Sequence, residues 1–134
     1  PIARMEHAGR RLAAGVTASV AEAGLADHLW VTGRPSCLVF VTCDADGVPS
    51  QAYRTLFLQE LLRRGVLGQS FVTSAAHRDD DVDATVQAVS DALPIYRYAI
   101  EAGSVAGFLQ GRPVAPAIRR GAAPRRVPDR WCRR

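Results

Sequence analysis

Near the start of the chain, Met5, Leu12, Val16, Val20 and Ala23 recur at three- and four-residue steps, with Gly9 in the remaining place on the stripe. That spacing predicts a helix over 4–24, favoured by its alanines, weakened by Gly9 and Gly15 and stopped by Gly24. A short strand is expected over 28–32, and Gly33-Arg34-Pro35 turns the chain. Ser36 to Cys43 has few polar breaks, which predicts a strand buried on both faces, or nearly so. Asp44-Ala45-Asp46-Gly47 is turn chemistry. Ser50 reads as the N-cap of a second helix, with Tyr53, Phe57, Leu58, Leu61 and Leu62 on its apolar face. Arg63 and Arg64 sit at the negative end of its dipole, and Gly65 closes it. A strand is expected over 70–73. The last helix opens on Asp79, Asp80, Asp81 and Asp83, where negative charge meets unpaired N–H groups. It continues through Val82, Val86, Val89, Leu93, Tyr96 and Ile100. Pro94 predicts a kink, or a helix ending at Leu93 with another starting near Pro94.

This order of elements predicts an α+β domain, a small antiparallel sheet covered by helices on one side. A chain of 134 residues fits one domain and can bury one core, but is short for a two-domain enzyme. Beyond Gly111 the periodicity ends and Pro, Arg, Ala and Gly dominate. The expected organisation is a folded body over 1–111 and a flexible, Arg/Pro-rich tail over 112–134. No apolar run approaches the ~18 residues of a membrane span, and no signal peptide is recognisable at the start. A cytoplasmic protein with no membrane partner is the expectation. Cys37, Cys43 and Cys132 have no disulfide spacing. Cys37 and Cys43, six apart in a strand, are expected on one face as small buried hydrophobes.

Charge changes the picture in two ways. All 17 basic residues are arginine, and the chain contains no lysine. The net charge of +4 is also unevenly placed: residues 112–134 carry +7 and residues 1–111 carry −3. Such a tail could neutralise phosphates, but Trp131 is its only aromatic, so it has no ladder for stacking bases. A solvated tail is preferred and nucleic acid is not the expected partner. The alternative is a stand-alone module whose basic tail binds nucleic acid or an acidic partner.

No self-contained active site is evident. There is no GxGxxG or phosphate loop, and no Cys/His cluster with metal-ligand spacing. The run Asp79–Asp83 lacks the alternating ligands, glycine and late glutamate of a calcium loop; helix-start electrostatics explains it. His77, in Ser74-Ala75-Ala76-His77, either faces a ligand or fixes a strand-to-helix corner, and the corner is preferred.

Three segments resemble a known family in order and spacing. They are Tyr53-Arg-Thr-Leu-Phe-Leu-Gln-Glu-Leu-Leu-Arg-Arg-Gly-Val-Leu67, Phe71-Val-Thr-Ser-Ala-Ala-His77, and Asp79-Asp-Asp-Val-Asp-Ala-Thr85. Together they look like the C-terminal small domain of class-III, pyridoxal-phosphate-dependent aminotransferases. They are similar to glutamate-1-semialdehyde 2,1-aminomutase and its aminotransferase relatives. The similarity runs from about Pro1 to Leu93, and more loosely to about Arg119.

The resemblance implies the small domain of a fold-type I enzyme. In that family, a lysine of an N-terminal large domain forms a Schiff base with pyridoxal 5'-phosphate and moves protons. The small domain closes over the site. It also implies a homodimer for the full-length enzyme. With no lysine here, and arginine unable to replace it, the chain alone is expected to be inactive. It is expected to bind no cofactor through a lysine and to be a fragment that needs a missing large domain. The non-methionine start agrees with that expectation. Gly65-Val-Leu-Gly-Gln-Ser-Phe71 is shorter than the aminomutase loop and carries no acid, which favours an aminotransferase. By position in the resemblance, Gln69, Ser70 and Phe71 are the candidate substrate contacts. Ser74 and His77 form a structural corner or lie just behind the site. No residue of this chain is assigned as catalytic or as a metal ligand.

Overall fold

The computed structural model describes residues 1–115. The tail expected from residue 112, with Trp131 and Cys132, lies outside the described residues from 116 onward. Three helices and three strands follow in the order α1 (Ile2–Glu22), β1 (Leu29–Arg34), β2 (Cys37–Thr42), α2 (Gln51–Arg63), β3 (Phe71–Val72) and α3 (Asp79–Glu101). The strands form one antiparallel sheet in the order β1-β2-β3. The fold is α+β, with helices on one face of a small antiparallel sheet.

The core lies between the helices and the inner sheet face. From α1 come Ala8, Leu12, Val16 and Val20; from α3 come Val82, Val89, Leu93 and Tyr96. The sheet contributes Leu29, Leu38, Phe40 and Phe71. Phe40 meets Phe57 edge-on, with ring centroids 5.0 Å apart, and Phe57 meets Tyr96 at 6.4 Å. This packing adds orientation to the burial of large apolar rings. The Tyr96 hydroxyl donates to the carbonyl of Cys43 at 2.7 Å and lies 3.2 Å from that of His28. It thereby ties α3 to the open end of the β1–β2 hairpin, where the chain enters β1 and leaves β2. Burial pushes its pKa well up, so it stays a donor.

Several expectations change. β2 is not buried on both faces: Leu38, Phe40 and Thr42 point inward, while Cys37 and Val39 are exposed. The cysteines separate for a related reason. Strand β2 ends at Thr42, and Cys43 breaks the alternation in an isolated bridge to Pro49, so Cys43 is fully buried while Cys37 faces water. Helix α3 runs unbroken through Pro94 instead of dividing there. Pro94 lies on the exposed side, and Leu93, Tyr96 and Ala99 bury side chains on both sides of it. Their packing outweighs a proline cost of ~3 kcal/mol.

Helix α2 buries Tyr53, Leu56, Phe57, Glu60 and Leu61, the i, i+3, i+4, i+7, i+8 stripe of a helix. Leu62, expected on that face, is exposed, and Glu60 takes a place in the stripe. Ser50 caps the helix as expected, its Oγ accepting from the Tyr53 amide at 3.4 Å. Glu60 is held by Arg63 at 2.6 Å and Arg64 at 2.8 Å, and Gln59 donates to it at 3.1 Å. Burial alone would raise its pKa. The hydrogen bonds from Arg64 and Gln59 and the charge of both arginines outweigh this and hold it below its ordinary value. Gln59 also donates to the Phe108 carbonyl at 2.9 Å and accepts from the Gln110 amide at 2.8 Å, fastening the chain after α3 onto α2.

One close approach demands glycine. A Cβ on Gly9 would overlap the carbonyl of Pro35, where α1 crosses the β1–β2 turn. The buried Thr73 hydroxyl sits beside this crossing, 3.0 Å from Met5 O and 3.2 Å from Pro35 O. Gly9→Ala is therefore expected to cost about 2–3 kcal/mol in urea unfolding, while Gly111→Ala, with open space around it, changes stability by under ~0.5 kcal/mol.

Glu60 predicts a pH dependence. Its folded pKa is lowered, so its contribution is complete above the unfolded value near 4.5. The contribution is lost as pH falls through the folded value. Glu60→Gln is expected to lower stability at pH 7 by roughly 1–3 kcal/mol and to flatten the acid limb of the stability–pH curve. Urea titrations across that limb measure both effects.

Candidate functional site

The segments that carry the family resemblance meet at a cleft of about 130 Å³ between the β3 end of the sheet and the start of α3. Its walls include Leu67, Ser70, Phe71, Thr73, His77, Asp81 and Thr85, with Leu12 of α1 behind. Ligand pockets commonly enclose roughly 300–1,000 Å³, so this cleft is a partial enclosure.

Local forces place each wall. Gly65 leaves α2 with φ of +81°, a conformation that favours glycine. Arg54 then holds the loop that follows. Its guanidinium donates to the Phe40 carbonyl at 3.1 Å and to the Gln69 carbonyl, while lying 4.5 Å from the Phe40 ring centroid. The opposite wall is the Ser74–His77 turn. The Ser74 amide donates to His77 Nδ1 at 2.8 Å, and the His77 amide donates to the Ser74 carbonyl at 3.2 Å. Asp81 then accepts from the Arg78 amide at 2.8 Å, the carboxylate half of a capping box. Arg11 of α1 spans Asp79 at 2.8 Å and Asp83 at 2.7 Å.

Of the three candidate substrate contacts, Ser70 and Phe71 line the cleft and Gln69 does not. Gln69 is exposed and contributes its carbonyl to Arg54. The Phe71 ring is largely a core group, 5.5 Å from Phe40 between centroids. His77 lines the cleft as well as closing the corner. Because Nδ1 accepts a backbone N–H, the ring proton of neutral His77 lies on Nε2. Arg54 escaped the sequence reading: its partners are carbonyls, which no residue pattern marks.

The arrangement offers hydrogen bonds more readily than catalysis. Ser74 Oγ lies 3.3 Å from His77 Nδ1, but that nitrogen already accepts from the Ser74 amide, so it is not a free base. Thr85 Oγ1 donates to the Asp81 carbonyl at 2.8 Å. The polar groups with spare capacity are the Ser70 hydroxyl, His77 Nε2 and Asp81. Among the described residues, no three His, Cys, Asp or Glu side chains form a metal-binding group. The donors here do not fit pyridoxal phosphate as a resident group either. The chain has no lysine amine, and among the described residues no cationic side chain lines the cleft except His77 when protonated. No reaction step is assigned to the cofactor in this chain.

Removing the Arg54 clamp should loosen the cleft wall selectively. Arg54→Met is expected to lower global stability by about 1–2 kcal/mol and to speed amide exchange across 66–72 at least tenfold. Arg54→Lys should not restore protection, because an ammonium lacks the fork that reaches two carbonyls. Hydrogen-exchange mass spectrometry reads this, and unchanged exchange in both variants would rule out the clamp.

No protein-family model and no curated protein matches the chain. A solved structure does: an omega-transaminase from Sphaerobacter thermophilus, with a TM-score of 0.60 and 25% identity. The match covers 70% of this chain and 24% of that one, so the chain spans about a quarter of that enzyme's length. No helix among the described residues is long and apolar enough to cross a membrane. The fold is similar to part of a transaminase, and this likeness supports the transaminase family that the three sequence segments resemble.

Proposed function

We propose that this chain is the small domain of a class-III, pyridoxal-phosphate-dependent aminotransferase, acting with a lysine-bearing large domain encoded N-terminal to it. The carrying observation is the fold shared with an omega-transaminase at 25% identity over 70% of the chain. The cofactor and the proton-transferring lysine belong to the large domain. The small domain contributes one wall of the substrate pocket, the cleft from Leu67 to His77. Ser70 and His77 Nε2 supply hydrogen bonds to the substrate, and the apolar surround excludes water from the reacting centre. The reaction is amino-group transfer between an amine and a keto or aldehyde acceptor. The short Gly65–Phe71 loop, which carries no acid, favours transfer over the intramolecular aminomutase reaction.

The test is to express the reading frame that continues upstream of Pro1 and assay transfer from an amine to a 2-keto acid with added cofactor. The longer protein is expected to turn over, and residues 1–134 alone are not. In the longer protein, Ser70→Ala is expected to raise KM about five- to tenfold with little change in kcat, the effect of one lost hydrogen bond of ~1 kcal/mol. An upstream frame with no lysine-bearing cofactor domain, or turnover by residues 1–134 alone, contradicts the proposal.

A further inference from the structure

The cleft between β3 and the start of α3 is apolar with one charge in its wall. Leu12, Leu67, Phe71 and Val82 line it, and among the described residues Asp81 is the only carboxylate that does. Asp81 Oδ2 accepts from the Arg78 amide at 2.8 Å and lies 4.0 Å from Arg78 Nε. That contact caps α3 and fixes how the carboxylate stands. Its other oxygen, Oδ1, accepts no hydrogen bond among the described residues. The Ser70 and Thr85 hydroxyls line the same cleft. Thr85 Oγ1 donates to the Asp81 carbonyl at 2.8 Å and keeps a lone pair free to accept.

The sign of the ligand follows from the surrounding charges. A helix start carries about half a positive charge and by itself draws anions. Here Asp79, Asp80 and Asp81 fill the first turn and Asp83 follows, which outweighs the dipole. The nearby cations are committed elsewhere. Arg11 pairs with Asp79 and Asp83, and His7 lies 4.0 Å from Asp79. Arg4 and Arg78 line the neighbouring groove with Asp79 and Asp80. Charges beyond about 8 Å are screened in physiological salt, so the wall itself decides, and its fixed charge is Asp81. A carboxylate entering here meets that charge and finds no arginine fork to hold it. A hydrocarbon end leaves Asp81 unpaired as water is displaced. An ammonium brings three N–H donors, and Asp81, Ser70 and Thr85 offer three acceptors.

We propose that the amino donor is a diamine, and that Asp81, with the Ser70 and Thr85 oxygens, binds its far ammonium group. The proposal rests on the functional reading above, which makes this cleft a wall of the substrate pocket. Leu67 and Phe71 flank the hydrocarbon between the two nitrogens. The amine at the other end is the one transferred: its carbon is oxidised to an aldehyde as the keto or aldehyde acceptor is reduced to an amine. Three donors of one chain length separate the possibilities. They are straight-chain diaminobutane with an amine at each end, the amino acid with a carboxylate in place of one amine, and butylamine. In the full 134-residue chain, diaminobutane is expected to shift the Ser70 and Thr85 amide resonances saturably, at least fivefold more than the other two. Asp81→Asn, whose amide oxygen keeps the α3 cap, is expected to abolish this response. Asp80→Asn, outside the cleft, is expected to keep it. No response, an equal response to the amino acid, or equal loss in Asp80→Asn overturns the site.

The same donors are then compared in the longer protein that continues upstream of Pro1. Diaminobutane is expected to have a kcat/KM at least tenfold above both others. Asp81→Asn is expected to remove most of that preference through KM, with kcat for diaminobutane little changed. Turnover that favours the amino acid or butylamine, or that treats all three donors alike, overturns the diamine and leaves the functional reading standing. A preference that survives Asp81→Asn overturns the role of Asp81. A folded longer protein that turns over none of the three, nor any other amine, overturns the functional reading and this inference with it.

Discussion

Three strands make a sheet with two faces, and the described helices cover one. The covered face organises the molecule. Phe40 stands at its centre between Phe57 and Phe71, and Tyr96 reaches from α3 to the backbone at the open end of the β1–β2 hairpin. Helices α1 and α3 close over these side chains only because Gly9 lets α1 approach the Pro35 carbonyl. The uncovered face has apolar chemistry without apolar surroundings.

The cleft follows from the same geometry. Strand β3 is only two residues long, so the chain is free to turn into the Ser74–His77 corner at once. The corner, the Arg54 clamp and the Asp81 cap then satisfy most polar groups from within the chain. What remains is a short row of hydrogen-bonding groups beside an apolar opening. Such a row can orient a substrate. No lysine amine stands among these groups, because the chain has none.

The helices were legible because their apolar periods are strong, and the central strand because a short apolar run stands between turn signals. The α1 stripe and the Ser50 cap agree with the structure to within a few residues. Misreadings came where a residue's chemistry and its surroundings part. The run Leu38–Val41 reads as doubly buried because its residues are apolar on both faces, yet a sequence does not say what covers each face. Glu60 was hidden inside an apolar stripe because its charge is met by Arg63 and Arg64 one turn later. Pro94 broke no helix because packing on both sides held it. At the site, the approach of Ser70 to His77 follows the motif order, whereas the clamp by Arg54 depends on carbonyls and leaves no mark in the residue pattern.

In the proposed function this chain supplies a wall of the pocket and a large domain supplies the chemistry. Equilibrium titration of the isolated 134-residue chain with pyridoxal phosphate, followed by absorbance and calorimetry, tests it most directly. No saturable binding at the cleft is expected, and no cofactor spectrum that survives gel filtration. Stoichiometric, tight binding that is abolished by substitutions at Ser70 and His77 would contradict it.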